Sequence, residues 1–274
     1  MLSAFSTALA LTVFADLSVQ VQPGQARPGD LVLLTVRGAA QVPTGTLGKY
    51  TLHFFAHGTC HQALVGLPSD IDGGEQWELS VKAGPKQSID GALEVLPADF
   101  PKRELTVAAR FISPSAKDRR QMAADSRAFK AAFAQKPTPR LFSGDFEWPR
   151  LSDITAPFGD QRMFNGKRQS QHYGTDINGQ TGDEVGASND GVVVMVRECF
   201  GSGGTIILHH GMGLYTAYFH LSRKDVKYGQ KVSRGELIGL VGKSGRVTGP
   251  HLHFGAKIDG RWVNAESLLR LGFN

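Results

Sequence analysis

Between Asp16 and Val95, apolar and polar residues alternate in short runs broken by turn residues. Leu17-Ser18-Val19-Gln20-Val21 alternates, and the turn residues Pro23-Gly24 and Pro28-Gly29-Asp30 come after it. Leu31 to Val36, Tyr50 to Phe55 and Trp77 to Val81 are further runs of this kind. Side chains alternate across a strand with period two, so this spacing predicts a small antiparallel β-sandwich of Ig-like type over 16–112. Leu105 to Ile112 reads as its last strand. The rhythm then changes. Ser115-Ala116-Lys117-Asp118 reads as a capping box, and the run to Gln135 is rich in Ala, Arg and Lys, with Met122, Phe129 and Phe133 near one face. That pattern predicts an amphipathic helix, a connector over 113–140 stopped by Pro137-Thr138-Pro139.

From 141 to 274 strands return. Gly191 to Val196, Gly204 to His209, Leu214 to His220, Leu237 to Val241 and His251 to Gly255 are all strand material, with little room for helix before Ala265. The expected fold is therefore mainly β: a sandwich, a connecting helix and a C-terminal antiparallel sheet domain. The 33 glycines suit such a turn-rich chain.

Composition narrows the function classes. With 41% hydrophobic and 20% charged residues, the 274-residue chain is globular rather than disordered. Its net charge of +5 is scattered, with no run that forms a nucleic-acid arm. Leu2 to Phe14 is uncharged and mostly apolar, and Val13-Phe14-Ala15 resembles a signal-peptidase site before Asp16. Residues 1–15 are expected to be an export signal, and no other stretch has the apolar length to span a bilayer. Cys60 and Cys199 lack the spacing of a disulfide framework or a redox pair and read as buried free thiols.

Five residues carry candidate chemistry: His172, Asp176, His220, His251 and His253. His251-Leu252-His253 on a strand puts both imidazoles on one face. In Gln171-His172-Tyr173-Gly174-Thr175-Asp176, Gly174 lets the chain bend so that His172 and Asp176 face one point. Two histidines and a carboxylate are the ligand set of an open catalytic zinc site, in which bound water becomes nucleophilic near neutral pH. The same set also serves structural metal sites, and a His-x-His pair can be a packed core feature. His53, His57, Cys60 and His61 would share a helical face, but Gly58 and the aromatic surroundings favour a strand ending near His57, with packing or surface histidines. Gly201-Ser202-Gly203-Gly204 and Gly242-Lys243-Ser244 lack the spacing of a phosphate loop. His209 and His210 point to opposite sides and do not ligate one metal together.

The stretch from Phe146 to Leu269 resembles the lysostaphin- and LytM-type zinc peptidases, through Ile154-Thr155-Ala156-Pro157-Phe158-Gly159, Phe164-Asn165-Gly166, Gln171 to Ile177, His210 to Leu221, Val232 to Gly239 and Gly245 to Phe254. The resemblance implies one Zn²⁺ held by His172, Asp176 and His253, with His220 and His251 as the catalytic pair that positions water and stabilises the oxyanion. It implies an exported, monomeric metalloendopeptidase that cuts peptide cross-links or stem peptides of peptidoglycan, in the periplasm or outside the cell, with no nucleic-acid partner and no stable membrane insertion. The alternative on the same fold is a catalytically silent wall-binding protein or activator of other wall hydrolases, which predicts lost ligands. In some relatives an Asn occupies the metal's open position. Asn165, within the ordinary Phe-Asn-Gly block, is expected to line the groove instead.

Overall fold

The computed structural model describes the backbone of residues 9–14, 17–136 and 138–273 and the side chains of 17–136, 138–167 and 169–273. Of the expected export signal it describes only the strand Leu9–Phe14, which pairs antiparallel with Leu17–Gln22. The cleavage point before Asp16 lies outside the described residues. No helix among them is long and apolar enough to cross a membrane.

Two compact units divide the chain, one ending at Asp99 and taking in Arg270 onward, the other Phe100–Leu269. The first holds two five-stranded sheets. In one, Leu17–Gln22, Leu31–Arg37 and Cys60–Gly66 are neighbours, with Val19 opposite Val36 and Leu34 opposite Ala63. In the other, Glu75–Gly84 and Gln87–Val95 form a long hairpin that sets Trp77 opposite Leu93 and Val81 opposite Ile89. These inward positions belong to one buried cluster, as the alternation of the sequence requires. The run Tyr50 to Phe55 is not one strand. Tyr50–Thr51 belongs to one sheet and Phe55–His57 to the other, while Leu52 and Phe54 are buried between them. Its alternation records the crossing from one sheet to the other.

The second unit begins earlier than the sequence pattern suggests. Lys102–Leu105 pairs in parallel with Gln161–Phe164, which pairs antiparallel with Arg168–Gln171. The expected strand from Leu105 to Ile112 is instead the end of that strand, a break and the 3-10 turn Ala109–Phe111. The ladder stops because the side chain of Asn165 takes both the N–H and the C=O of Val107, at 2.8 and 2.9 Å. The helix Ala116–Ala132 starts on the expected capping box, Asp118 N–H donating to Ser115 Oγ and Ser115 N–H to the Asp118 carboxylate. This connecting helix also packs on the sheet that follows it. Phe129 and Phe133 pack on Ile207, Tyr215, Ala217, Phe219 and Trp262 of the main sheet. Asp125 fastens the helix further: it accepts from Arg197 Nε at 2.9 Å and from the Phe200 N–H at 2.8 Å. A helix whose apolar stripe and buried carboxylate are both answered by one sheet folds as part of that domain.

The main sheet has eight strands and is antiparallel throughout. Its centre runs Thr175–Asn178, His251–Ile258, Leu214–Leu221, Gly203–His209 and Gly191–Cys199. A further three-stranded sheet of Glu184–Gly186, Leu237–Leu240 and Arg223–Lys224 completes the unit with the short helix Ala265–Leu268.

Candidate metal centre

Strand register brings the chemistry together. Thr175–Asn178 lies beside His251–Ile258 with Asp176 directly opposite His253, so their side chains leave the same face. His251 shares that face, and Leu252 is fully buried on the other. His172 enters from the preceding loop, held by two backbone bonds: its N–H to Asp160 O and the Gly159 N–H to its carbonyl, both 2.8 Å. His172 Nε2 then stands 3.0 Å from Asp176 Oδ1 and 2.9 Å from His253 Nδ1, and Oδ1 is 2.9 Å from that same Nδ1. Among the described residues this is the one cluster of three or more such ligands that could hold a metal ion.

Proton positions test whether a cation fits. His172 Nδ1 is 2.8 Å from the carbonyl of Pro157, which can only accept, so Nδ1 carries the hydrogen. In the neutral ring Nε2 is then a lone pair aimed at a carboxylate oxygen. A proton on His253 Nδ1 can satisfy one of those neighbours at a time, and the approach of His172 to Asp176 still sets acceptor against acceptor. A cation between the three atoms answers all of them. Burial pushes Asp176 up, but a ring hydrogen from His172 or His253, or a cation in its place, holds it well below the usual carboxylate range. Burial also pushes His253 down to about 4, against the pull of Asp176, so it is neutral and able to ligate.

His220 and His251 face this cluster. His220 has a left-handed backbone, φ 65°, which turns its side chain out of the strand's alternation, and its N–H is tied to Ser202 O at 2.8 Å. Its Nδ1 donates to Ser244 O at 2.8 Å, leaving Nε2 free to accept. Burial, then repulsion from His251 and His253, hold its pKa well below 6.5. His251 Nδ1 donates to Gly249 O at 3.0 Å, and its Nε2 lies 3.6 Å from Asp176 Oδ1. The two rings are 4.9 Å apart, centre to centre.

Residues 170–265, which contain all five positions, match Peptidase family M23. Over residues 170–265 the chain is therefore similar to peptidase family M23. Over 123 residues, 45% of this chain and 26% of the relative, it is 52% identical to the peptidoglycan DD-endopeptidase ShyA of Vibrio cholerae serotype O1. Over 145 residues, 53% of this chain and 31% of the relative, it is 33% identical to ShyC, a peptidoglycan DD-endopeptidase of the same organism. The matched stretch thus spans about a quarter to a third of these curated relatives. A Pseudomonas aeruginosa crystal structure assigned to peptidase M23 shares the fold: TM-score 0.65, 22% identity, 88% of this chain and 94% of that one.

The candidate metal site opens into a cavity of about 570 Å³. Part of its wall comes from residues ahead of the family match: Leu105, Val107 and Phe111, then Met122 and Phe129 of the helix. Asn165 is not among the residues lining it, contrary to expectation, because both ends of its amide are held by Val107. Sequence reasoning also missed Arg162, whose Nη2 donates to Asp176 Oδ2 at 2.8 Å. Its only sequence signal is its place four residues after Phe158, next to the Pro157-Phe158-Gly159 block. The other histidine group does not gather. The strand ends at His57, Gly58 turns the chain with φ 55°, and Cys60 Sγ contacts His57 O at 3.0 Å. Cys60 and Cys199 are both free and buried, one in each unit.

Proposed function

We propose that the chain is a zinc-dependent endopeptidase that hydrolyses D,D peptide cross-links of peptidoglycan in the cell envelope. One observation carries this reading: a converging His172–Asp176–His253 ligand set faced by two further histidines whose Nδ1–H groups are already engaged. The complete set also speaks against a silent activator, and the bond class follows the likeness to ShyA and ShyC.

His172, Asp176 and His253 would hold Zn²⁺, which when bound would supply a water of lowered pKa and an electrophilic contact for the scissile carbonyl. The protein's own groups do the rest. Burial keeps His220 neutral, so its Nε2 accepts the proton of the attacking water and passes it to the departing amine. His251, held through Nδ1 by Gly249 O, turns Nε2 toward the site beside the place of the developing oxyanion. The apolar wall of Val107, Phe111 and Phe129 excludes water from the bound peptide.

The test is digestion of purified cross-linked peptidoglycan by the zinc-loaded chain, with products read by mass spectrometry. Cross-linked dimers should disappear, and His220→Ala should slow this by roughly 10²–10⁴-fold. Dimers left intact by the zinc-loaded chain would remove the endopeptidase reading.

A further inference from the structure

We propose that Arg162 is a positioning residue for the metal-binding carboxylate: its guanidinium takes Oδ2 of Asp176, so that a cation is offered Oδ1 alone. This rests on the metallopeptidase reading above.

The two oxygens of Asp176 have different surroundings. Oδ1 faces His172 Nε2 and His253 Nδ1 at 3.0 and 2.9 Å. Oδ2 accepts from Arg162 Nη2 at 2.8 Å. A carboxylate whose second oxygen were unengaged could close on a cation with both oxygens and fill a position needed for water. A charge-assisted bond on Oδ2 opposes that swing and leaves three protein donors with the fourth position open.

Arg162 is itself fixed. It lies on Gln161–Phe164 directly opposite Arg103 of the parallel neighbour Lys102–Leu105. Two like charges in register repel unless a carboxylate stands between them. Asp160 does so, fully buried, with Arg103 Nε at 2.9 Å and Arg162 Nε at 3.5 Å from its Oδ2. Arg103 is anchored further through Nη1 to the carbonyl of Thr155 at 2.9 Å, and Thr155 Oγ1 donates to Asp176 O at 3.2 Å. The backbone carbonyl of Asp160 meanwhile holds the N–H of His172. One short segment therefore aims two of the three ligands. The planar fork of arginine serves Asp160 and Asp176 at once, which the single ammonium of lysine cannot do in the same geometry.

The test compares the full chain with Arg162→Ala and Arg162→Lys after loading with Co²⁺, whose visible bands weaken as coordination rises from four to five. In Arg162→Ala the released Oδ2 should join the ion and weaken the bands. With zinc, kcat should fall at least about tenfold while KM stays within about twofold. Arg162→Lys should keep the parent spectrum in large part and recover the rate only partly. Arg162→Gln carries the same comparison should the alanine variant not fold. An unchanged Co²⁺ spectrum in Arg162→Ala or Arg162→Gln overturns the proposal, whatever the rate does. If the parent takes up Co²⁺ but cuts no cross-link, the spectra still decide the role of Arg162, and the endopeptidase reading falls separately.

Discussion

The absence of a side chain on Gly174 leaves the space that the imidazole of His253 fills. A Cβ built on Gly174 would collide with His253 Nε2 and lie 2.7 Å from its Cε1 and from the carbonyl oxygen of Phe254. On the other strand beside it, the ring of Phe219 lies parallel to the same imidazole, 2° between planes and 5.1 Å between centroids. Gly174→Ala must therefore push His253 or the loop that carries His172. Since Phe254 O belongs to the sheet backbone, the histidine moves more easily. Metal affinity, read by competition with a chromophoric chelator, should fall by about tenfold or more while the fold survives. Unchanged affinity would show that the site relaxes around the new methyl group.

Two halves of the site are legible in the sequence from local rules, while their union in one ligand set of His172, Asp176 and His253 is what the family resemblance implies, since it depends on the pairing of Thr175–Asn178 with His251–Ile258. His251 and His253 are two apart on a strand, and His172 and Asp176 flank a glycine in a turn. Arg162, Asp160 and Asp125 are not legible in that way. Their partners depend on which strands pair and where the helix lands. The parallel pairing of Lys102–Leu105 with Gln161–Phe164 joins segments far apart in the chain, and no alternation announces it. The helix shows the same limit. Its capping box and its stripe of Phe129 and Phe133 are plain in the sequence, but what they pack on is not, so the stretch reads as a connector. It also forms one wall of the cavity at the metal site. The break between Thr51 and Phe55 shows the converse. Alternation continues through Leu52 and Phe54 although the chain has left one sheet for the other.

Asn165 separates two accounts of the groove. Its amide joins both backbone groups of Val107, and its φ of 51° is one that asparagine tolerates. Asn165→Gly keeps that backbone and removes only the two hydrogen bonds. It should cost about 1–3 kcal/mol in urea unfolding and lower turnover by loosening the wall formed by Leu105 and Val107. A rise in turnover would instead show that Asn165 restrains the site.

His210 makes the stability of this domain depend on pH. Its Nδ1 donates to Asp190 O at 2.7 Å, so Nε2 accepts from Thr216 Oγ1, also at 2.7 Å. Thr216 Oγ1 in turn accepts from Tyr218 OH at 3.0 Å, and that hydroxyl accepts the N–H of Ser188 at 2.9 Å. The chain of donors runs in one direction and needs a neutral imidazole at its end. Burial pushes His210 down to about 4 from an ordinary value of 6.5. The unfolded chain therefore binds the proton first as pH falls. The stabilising effect of a neutral His210 is complete above about 6.5, shrinks as pH drops below it, and reaches its limit near 4. A gap of that size corresponds to a loss on the order of 3 kcal/mol. Unfolding free energies of the metal-free protein between pH 7 and pH 4 should show it, with the His210 ring resonances remaining those of a neutral imidazole down to about pH 4. A His210 resonance that titrates near 6.5 in the folded protein would mean that the network tolerates the imidazolium, and the acid sensitivity would then have to come from other groups.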